Sequence, residues 1–216
     1  MKKTLSLTLL SLALAAGLFF VGCTQPTNTP AATTSGTTTS GTTTGGTTTT
    51  TAASSVPSDA TALFDAYGLT ALPSNFTVPG WGATTTLEDD ATYGKVLKVA
   101  CDSTSGASYS VATITFSTPV NLSGKTVYAV VKGSGAKTGS NGLKLILVSD
   151  STHKSENTNY EPSDASAYAT KSAAIDTWWA GYGDGISVAD YTAITSLELN
   201  LQTLASDLYI ASIYYK

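Results

Sequence analysis

From Leu97 onward the chain repeatedly alternates apolar and polar positions with a period of two. Leu97, Val99 and Cys101 alternate with Lys98 and Ala100; Leu143, Leu145 and Leu147 share one face; Leu197, Leu199 and Leu201 alternate with Glu198, Asn200 and Gln202. Successive side chains of a strand point to opposite faces, so each segment predicts a strand with one face buried. Further runs rich in β-branched and aromatic residues cover 109–116, 126–131, 168–175 and 208–215, with 63–67 as an additional candidate. Turn signals separate them at Ser123-Gly124, Gly133-Ser134-Gly135, Ser140-Asn141-Gly142 and Gly181-Tyr182-Gly183-Asp184-Gly185. Short strands punctuated in this way predict an all-β fold, an antiparallel β-sandwich or jelly roll. No long amphipathic helix is legible, and a short helical turn fits only at 188–191.

The first residues follow a different rule. Lys2 and Lys3 precede an apolar stretch from Leu5 to Val21, and Gly22 then supplies a small residue before Cys23. A basic n-region, an apolar h-region and a small-residue junction make a signal peptide, expected over 1–22. Phe20-Val21-Gly22-Cys23 resembles the bacterial lipobox, with Phe20 where Leu is usual. That resemblance implies diacylglyceryl attachment to the Cys23 thiol, cleavage before it and acylation, for example with palmitate, of the new amino terminus. An ordinary secretory signal or a transmembrane anchor would leave the cysteine at that junction a coincidence. One acyl chain holds a protein weakly, whereas two or more on one residue anchor it stably. The expected partner is therefore a membrane, reached through the N-terminal lipid. Thr24, rather than the Asp that often retains such proteins at the inner membrane, points to the outer membrane or cell surface of a bacterium.

Residues 23–56 read as a tether. Of the 33 residues from Thr24 to Val56, 16 are Thr, in quasi-repeats such as Ser35-Gly36-Thr37-Thr38-Thr39. So few large apolar side chains cannot offset an ordering entropy of about 1–2 kcal/mol per residue, which predicts a disordered Thr-rich linker. A flexible coil of that length spans on the order of 30 Å. The remaining 57–216 has the length of one domain. Loss of Lys2 and Lys3 leaves nine Lys against 15 acidic residues, a charge of about −6, and the chain has no Arg. Nucleic-acid binding needs a basic face and draws on Arg, so that class is excluded.

Candidate chemistry is sparse. Cys101 shares the apolar side of its strand with Leu97 and Val99 and reads as a core residue; no disulfide is expected, since Cys23 is committed to lipid. The single His153 lies in the polar stretch Asp150-Ser151-Thr152-His153-Lys154. It has no second His or Cys beside it, so no transition-metal site is expected. A glycosidase needs two carboxylates about 5–5.5 Å or 6.5–9.5 Å apart. Among Glu88, Asp89, Asp90, Glu156, Glu161, Asp164 and Glu198, only Glu198 falls on a predicted strand, and no second carboxylate is seen to face it. A Ser-His-Asp mechanism would rest on His153 without a Gly-x-Ser-x-Gly elbow. The expectation is a protein that is not an enzyme.

Aromatic residues in turn-rich segments carry more. Trp81 follows Pro79-Gly80, Trp178 and Trp179 precede the Gly-rich stretch, and Tyr160, Tyr168, Tyr182 and Tyr191 fall in or beside predicted loops. An exposed ring stacks on the C–H face of a pyranose while its hydroxyls seek polar partners. Trp81, Trp178, Trp179, Tyr182, Glu198, Asn200 and Gln202 are therefore the candidate carbohydrate-binding residues. Neighbours on an extended strand point oppositely, so one of Trp178 and Trp179 is expected in the core.

The segment 189–201 and the run Leu208-Tyr209-Ile210-Ala211-Ser212-Ile213-Tyr214-Tyr215 look like the C-terminal signature of galactose-binding-like jelly rolls found in carbohydrate-binding modules. The resemblance covers the final quarter of the chain and implies a sugar-binding scaffold. Ala211 stands where the family commonly has Asp, which puts in doubt the structural Ca²⁺ many members hold; no other cofactor is implied. The expected function is a surface-anchored lipoprotein binding a polysaccharide or other glycan without catalysis. A structural or adhesive lipoprotein with no glycan ligand, and a small jelly-roll glycoside hydrolase or lyase, are the alternatives.

Overall fold

The computed structural model describes residues 52–78, 84–100, 108–133, 141–160, 162, 167–203 and 207–216, with backbone alone at 108–110, 141–142 and 201–203. Cys23, Trp81 and Cys101, like the tether up to residue 51, lie outside the described residues.

Among the described residues, twelve strands and one 3₁₀ turn follow in order: β1 Thr61–Asp65, β2 Phe76–Thr77, β3 Thr84–Asp90, β4 Gly94–Ala100, β5 Ser108–Val120, β6 Thr126–Gly133, β7 Asn141–Val148, β8 Lys154–Asn157, β9 Ala169–Ala174, the turn Ile175–Thr177, β10 Trp179–Ala180, β11 Ile194–Thr203 and β12 Leu208–Tyr215. They form two antiparallel sheets. The first has the order β3-β4-β12-β6-β9, with β1 also paired to β12; the second runs β10-β8-β7-β11-β5-β2. Spatial neighbours are mostly not sequence neighbours, as in a jelly roll.

The period-two segments form the expected faces. Leu143, Leu145 and Leu147 on β7 and Leu197 and Leu199 on β11 are fully buried against Leu97, Val99, Val127, Ala129, Val131, Leu208, Ile210 and Ile213 of the first sheet. A buried aliphatic side chain contributes about 1.5–3 kcal/mol, so these rows dominate stability. A directional bond also ties the layers: the Tyr160 hydroxyl, just after β8, donates to the Val127 carbonyl on β6 at 3.1 Å. Tyr160 is thus a core residue rather than a loop ring, and its burial pushes the phenol far above its ordinary pKa. At the β5–β6 corner Ser123-Gly124 makes the expected turn: the Ser123 N–H donates to Asn121 Oδ1 at 2.9 Å, and Gly124 takes φ 68°.

Other elements differ from the sequence reading. No helix forms at 188–191: Asp190 Oδ1 accepts from the Thr192 N–H at 2.9 Å and its hydroxyl at 2.7 Å, a local alternative to helical bonding. The helical turn sits instead at Ile175–Thr177, closing β9. Glu88, Asp89 and Asp90 lie on β3 and Glu156 on β8, not in loops.

The first sheet's outer face carries a second apolar cluster, Val96, Val130, Ala211 and Tyr214, which also receives Val56 and Ala60. Ser55 and Ser212 hydroxyls are hydrogen-bonded, and the Ser54 hydroxyl donates to Asp65 at 2.6 Å, so the chain from residue 54 is part of the sandwich. Ala211 is buried among these apolar groups and offers no side-chain oxygen, so this position does not fit a Ca²⁺ ligand. Among the described residues, no three His, Cys, Asp or Glu side chains cluster.

On the same sheet Asp90 ties the β3–β4 hairpin to the start of β9. It accepts from the N–H groups of Thr92 and Tyr93 at 2.9 and 3.0 Å and from the Tyr168 hydroxyl at 2.9 Å, with Lys132 Nζ at 3.7 Å. Burial acts to raise its pKa, but these bonds and the lysine outweigh it and hold the carboxyl below its ordinary value. A depressed carboxylate stabilises the fold above its unfolded pKa of about 3.9 and loses that contribution as pH falls through the folded value. Acid titration below about pH 4 is therefore expected to lower the melting temperature, and Asp90→Asn to flatten that limb of the profile.

The core yields a second expectation. Trp178 Nε1 has no hydrogen-bond partner, so Trp178→Phe removes ring volume without breaking a bond. Urea unfolding is expected to show a cost near 1 kcal/mol for Trp178→Phe and about 2–5 kcal/mol for Leu199→Ala.

Candidate functional site

The second sheet has an outer face whose composition follows from the alternation that buries its leucines. Register places Trp179 opposite Glu156, Glu156 opposite Ile146, Ile146 opposite Glu198, Glu198 opposite Thr113 and Thr113 opposite Thr77. One row of side chains thus crosses all six strands. At a strand spacing of about 4.8 Å, it spans roughly 24 Å. One rung away Lys144 faces Asn200; on the other side Lys154 faces Val148.

Two ion pairs organise this row. Lys144 Nζ on β7 donates to both Glu156 oxygens at 3.2 and 3.1 Å. Lys154 Nζ on β8 reaches Glu198 Oε1 on β11 at 2.9 Å. Because β7 lies between those strands, the second pair arches over Ile146 and Val148, and both outward-facing apolar residues are nearly closed off from solvent. The two lysines and two glutamates carry no net charge together, and their donors and acceptors are held in fixed positions.

Trp179 completes the patch at the sheet edge. Its indole Nε1–H donates to Glu156 Oε1 at 3.0 Å while 44% of the residue stays exposed. Trp178, its neighbour, turns inward: only 6% exposed, it packs on the Tyr160 ring with centroids 6.0 Å apart. Trp178 is therefore corrected from a candidate stacking ring to a core residue, for the reason that adjacent residues of an extended chain point oppositely. Tyr182, 94% exposed, sits on the loop after β10. Asn200 is buried on the Lys144 rung, and the side chain of Gln202 lies outside the described residues.

Sequence reasoning named Glu156 among the candidate carboxylates but placed it on no strand, and it did not single out Lys144. The structure brings Glu156 into the row of Glu198, two strands away, so a second carboxylate does share this face. Their strands stand roughly 9.6 Å apart, with β7 between them. Both carboxylates, however, direct their oxygens at lysine ammonium groups. His153 stands elsewhere, exposed on the β7–β8 loop, its Nδ1 2.9 Å from the Asp150 carboxylate. The Thr152 N–H and the His153 ring hold the Asp150 pKa down to about 2. Among the described residues no serine hydroxyl meets the imidazole.

The fold has known counterparts. A family 11 carbohydrate-binding module from Clostridium thermocellum, solved in complex with a β-1,3-1,4-mixed-linked tetrasaccharide, superposes with a TM-score of 0.54 and 13% identity over 76% of this chain and 96% of that one. The sandwich shares the jelly-roll fold of that module. The family 11 module of the cellulosomal cellulase Lic26A-Cel5E of the same organism gives a TM-score of 0.53 at 15% identity, covering 72% of this chain and 93% of that chain. An exo-β-agarase matches with a TM-score of 0.54 and 14% identity over 72% of this chain, but this chain spans only 25% of the agarase. At such identities the likeness is one of fold. No family model matches the sequence, and no curated protein sequence does.

Proposed function

We propose that this chain is a bacterial surface lipoprotein whose jelly roll binds a polysaccharide, without catalysis, across the outer face of the second sheet. The observation that carries this reading is the half-exposed Trp179 indole, bonded to Glu156 at the end of a six-strand row that also holds the ion-paired Glu198. A sugar ring stacks its C–H face on such a plane while its hydroxyls exchange bonds with side chains set at strand spacing. Modules of the same fold support the reading, one of them solved with a β-1,3-1,4-mixed-linked tetrasaccharide. Binding is favoured over hydrolysis because Glu156 and Glu198 are both engaged as salt-bridge acceptors. Adhesion without a glycan is the second reading; it needs neither Trp179 nor the polar row.

Affinity electrophoresis and calorimetry with soluble mixed-linked β-glucan and agarose oligosaccharides test the proposal. Trp179→Ala is expected to weaken binding by roughly 1–3 kcal/mol, the scale of a base stacked on an aromatic ring. It should barely move the melting temperature, since the ring lies at a sheet edge. Absence of binding to any polysaccharide would favour the adhesive reading. Release of reducing ends, lost in Glu156→Gln, would favour a hydrolase.

Anchoring is tested separately. Cys23→Ser is expected to abolish incorporation of a fatty-acid analogue and to shift the protein from the membrane fraction to the soluble one. Continued detergent partitioning of that variant would count against lipidation.

A further inference from the structure

We propose that Glu156 is the positioning residue of the glycan site, fixing the plane of the Trp179 ring by a bond relayed from Lys144. The proposal rests on the carbohydrate-binding reading above and assigns to Glu156 and Lys144 a role that reading does not require.

Trp179 stands on a two-residue strand paired only with β8 at the rim of the sheet. So short a ladder does little to fix a side chain, and an indole with nearly half its surface in water has several rotamers open to it. Among the described residues, the directional restraint on the ring is its Nε1–H bond to Glu156 Oε1 at 3.0 Å. Glu156 is only 7% exposed, and its carboxylate is itself held: Lys144 Nζ reaches Oε1 at 3.2 Å and Oε2 at 3.1 Å. The orientation of the platform is thus set by three strands, β7 through Lys144, β8 through Glu156 and β10 through Trp179. Charge-assisted bonds are the shorter and stronger kind, so this chain of contacts is stiffer than a neutral one. Preorganisation of a stacking ring raises affinity by removing rotamer entropy that binding would otherwise cost.

The test combines nuclear magnetic resonance of the indole N–H with binding to mixed-linked β-glucan. The Trp179 resonance is identified by its loss in Trp179→Phe. In the native protein it is expected to exchange slowly with solvent; in Glu156→Ala it should shift and exchange rapidly, with or without ligand. Binding should weaken about tenfold in Glu156→Ala, the scale of one hydrogen bond to a charged group. The double variant Lys144→Met, Glu156→Gln keeps an acceptor for the indole and removes the cation that would oppose the amide, so it should recover most of both signals. In a Trp179→Ala background, Glu156→Ala should cause no further loss.

An indole N–H that stays protected in Glu156→Ala overturns the positioning role. So does native affinity in that variant, or an additional loss in the Trp179→Ala background, which would make Glu156 a direct ligand contact. If Trp179→Ala alone leaves binding unchanged, the site reading itself fails, a result distinct from failure of the relay.

Discussion

The pairing of β7 with β11 sets the identity of both faces of the second sheet. Leu147 lies opposite Leu197 and Leu145 opposite Leu199, while Ile146 lies opposite Glu198 and Lys144 opposite Asn200. A slip of one residue would turn the leucines to water and drive Glu198 and Asn200 into the core. Burial of the leucine rows against the first sheet therefore fixes, at the same stroke, where every polar side chain of the outer row stands. The site is a by-product of core register. Its precision derives from the non-directional hydrophobic force acting on the opposite side of the same strands.

Ion pairs on the outer face refine what register provides. Each Lys–Glu pair spans strands, and the pair arching over β7 shields two aliphatic residues that would otherwise interrupt a polar surface. Such pairs contribute little to stability when exposed. Here their effect is geometric: they immobilise long side chains that would otherwise sample many rotamers and present a face with balanced charge.

The long strands were legible because apolar positions repeat with period two across 143–147 and 197–201, and because 208–215 is rich in β-branched and aromatic residues. β8 was not. Its sequence Lys154-Ser155-Glu156-Asn157 contains no apolar residue, since its inward positions are filled by Ser155 and Asn157. Ser155 is satisfied by the Ala189 N–H and the Tyr191 hydroxyl, each at 2.9 Å, so a polar residue sits in the interior without an alternation signal. β3 was hidden for a related reason, because Glu88-Asp89-Asp90 resembles turn composition although it pairs in register with β4. Glu198 was found by its strand; Glu156, named only as a carboxylate, was not placed on this face because β8 went unread, and its bond to the Trp179 indole was hidden with it. The opposed directions of Trp178 and Trp179 followed from parity alone, but which ring faced water depended on tertiary packing against Tyr160.

The chain enters the sandwich through 54–60, which lie on the outer face of the first sheet against Ser212, Val96 and Val130. Trp179 and its row lie on the outer face of the other sheet. A load applied between 54–60 and the Trp179 row would therefore cross the thickness of the sandwich rather than run along any strand. Hydrogen-bond ladders lie within each sheet and do not oppose separation of the layers. Resistance falls to the packed leucine interior and to bonds such as that of the Tyr160 hydroxyl to the Val127 carbonyl. The mechanical strength of such a linkage would scale with core area rather than with strand length.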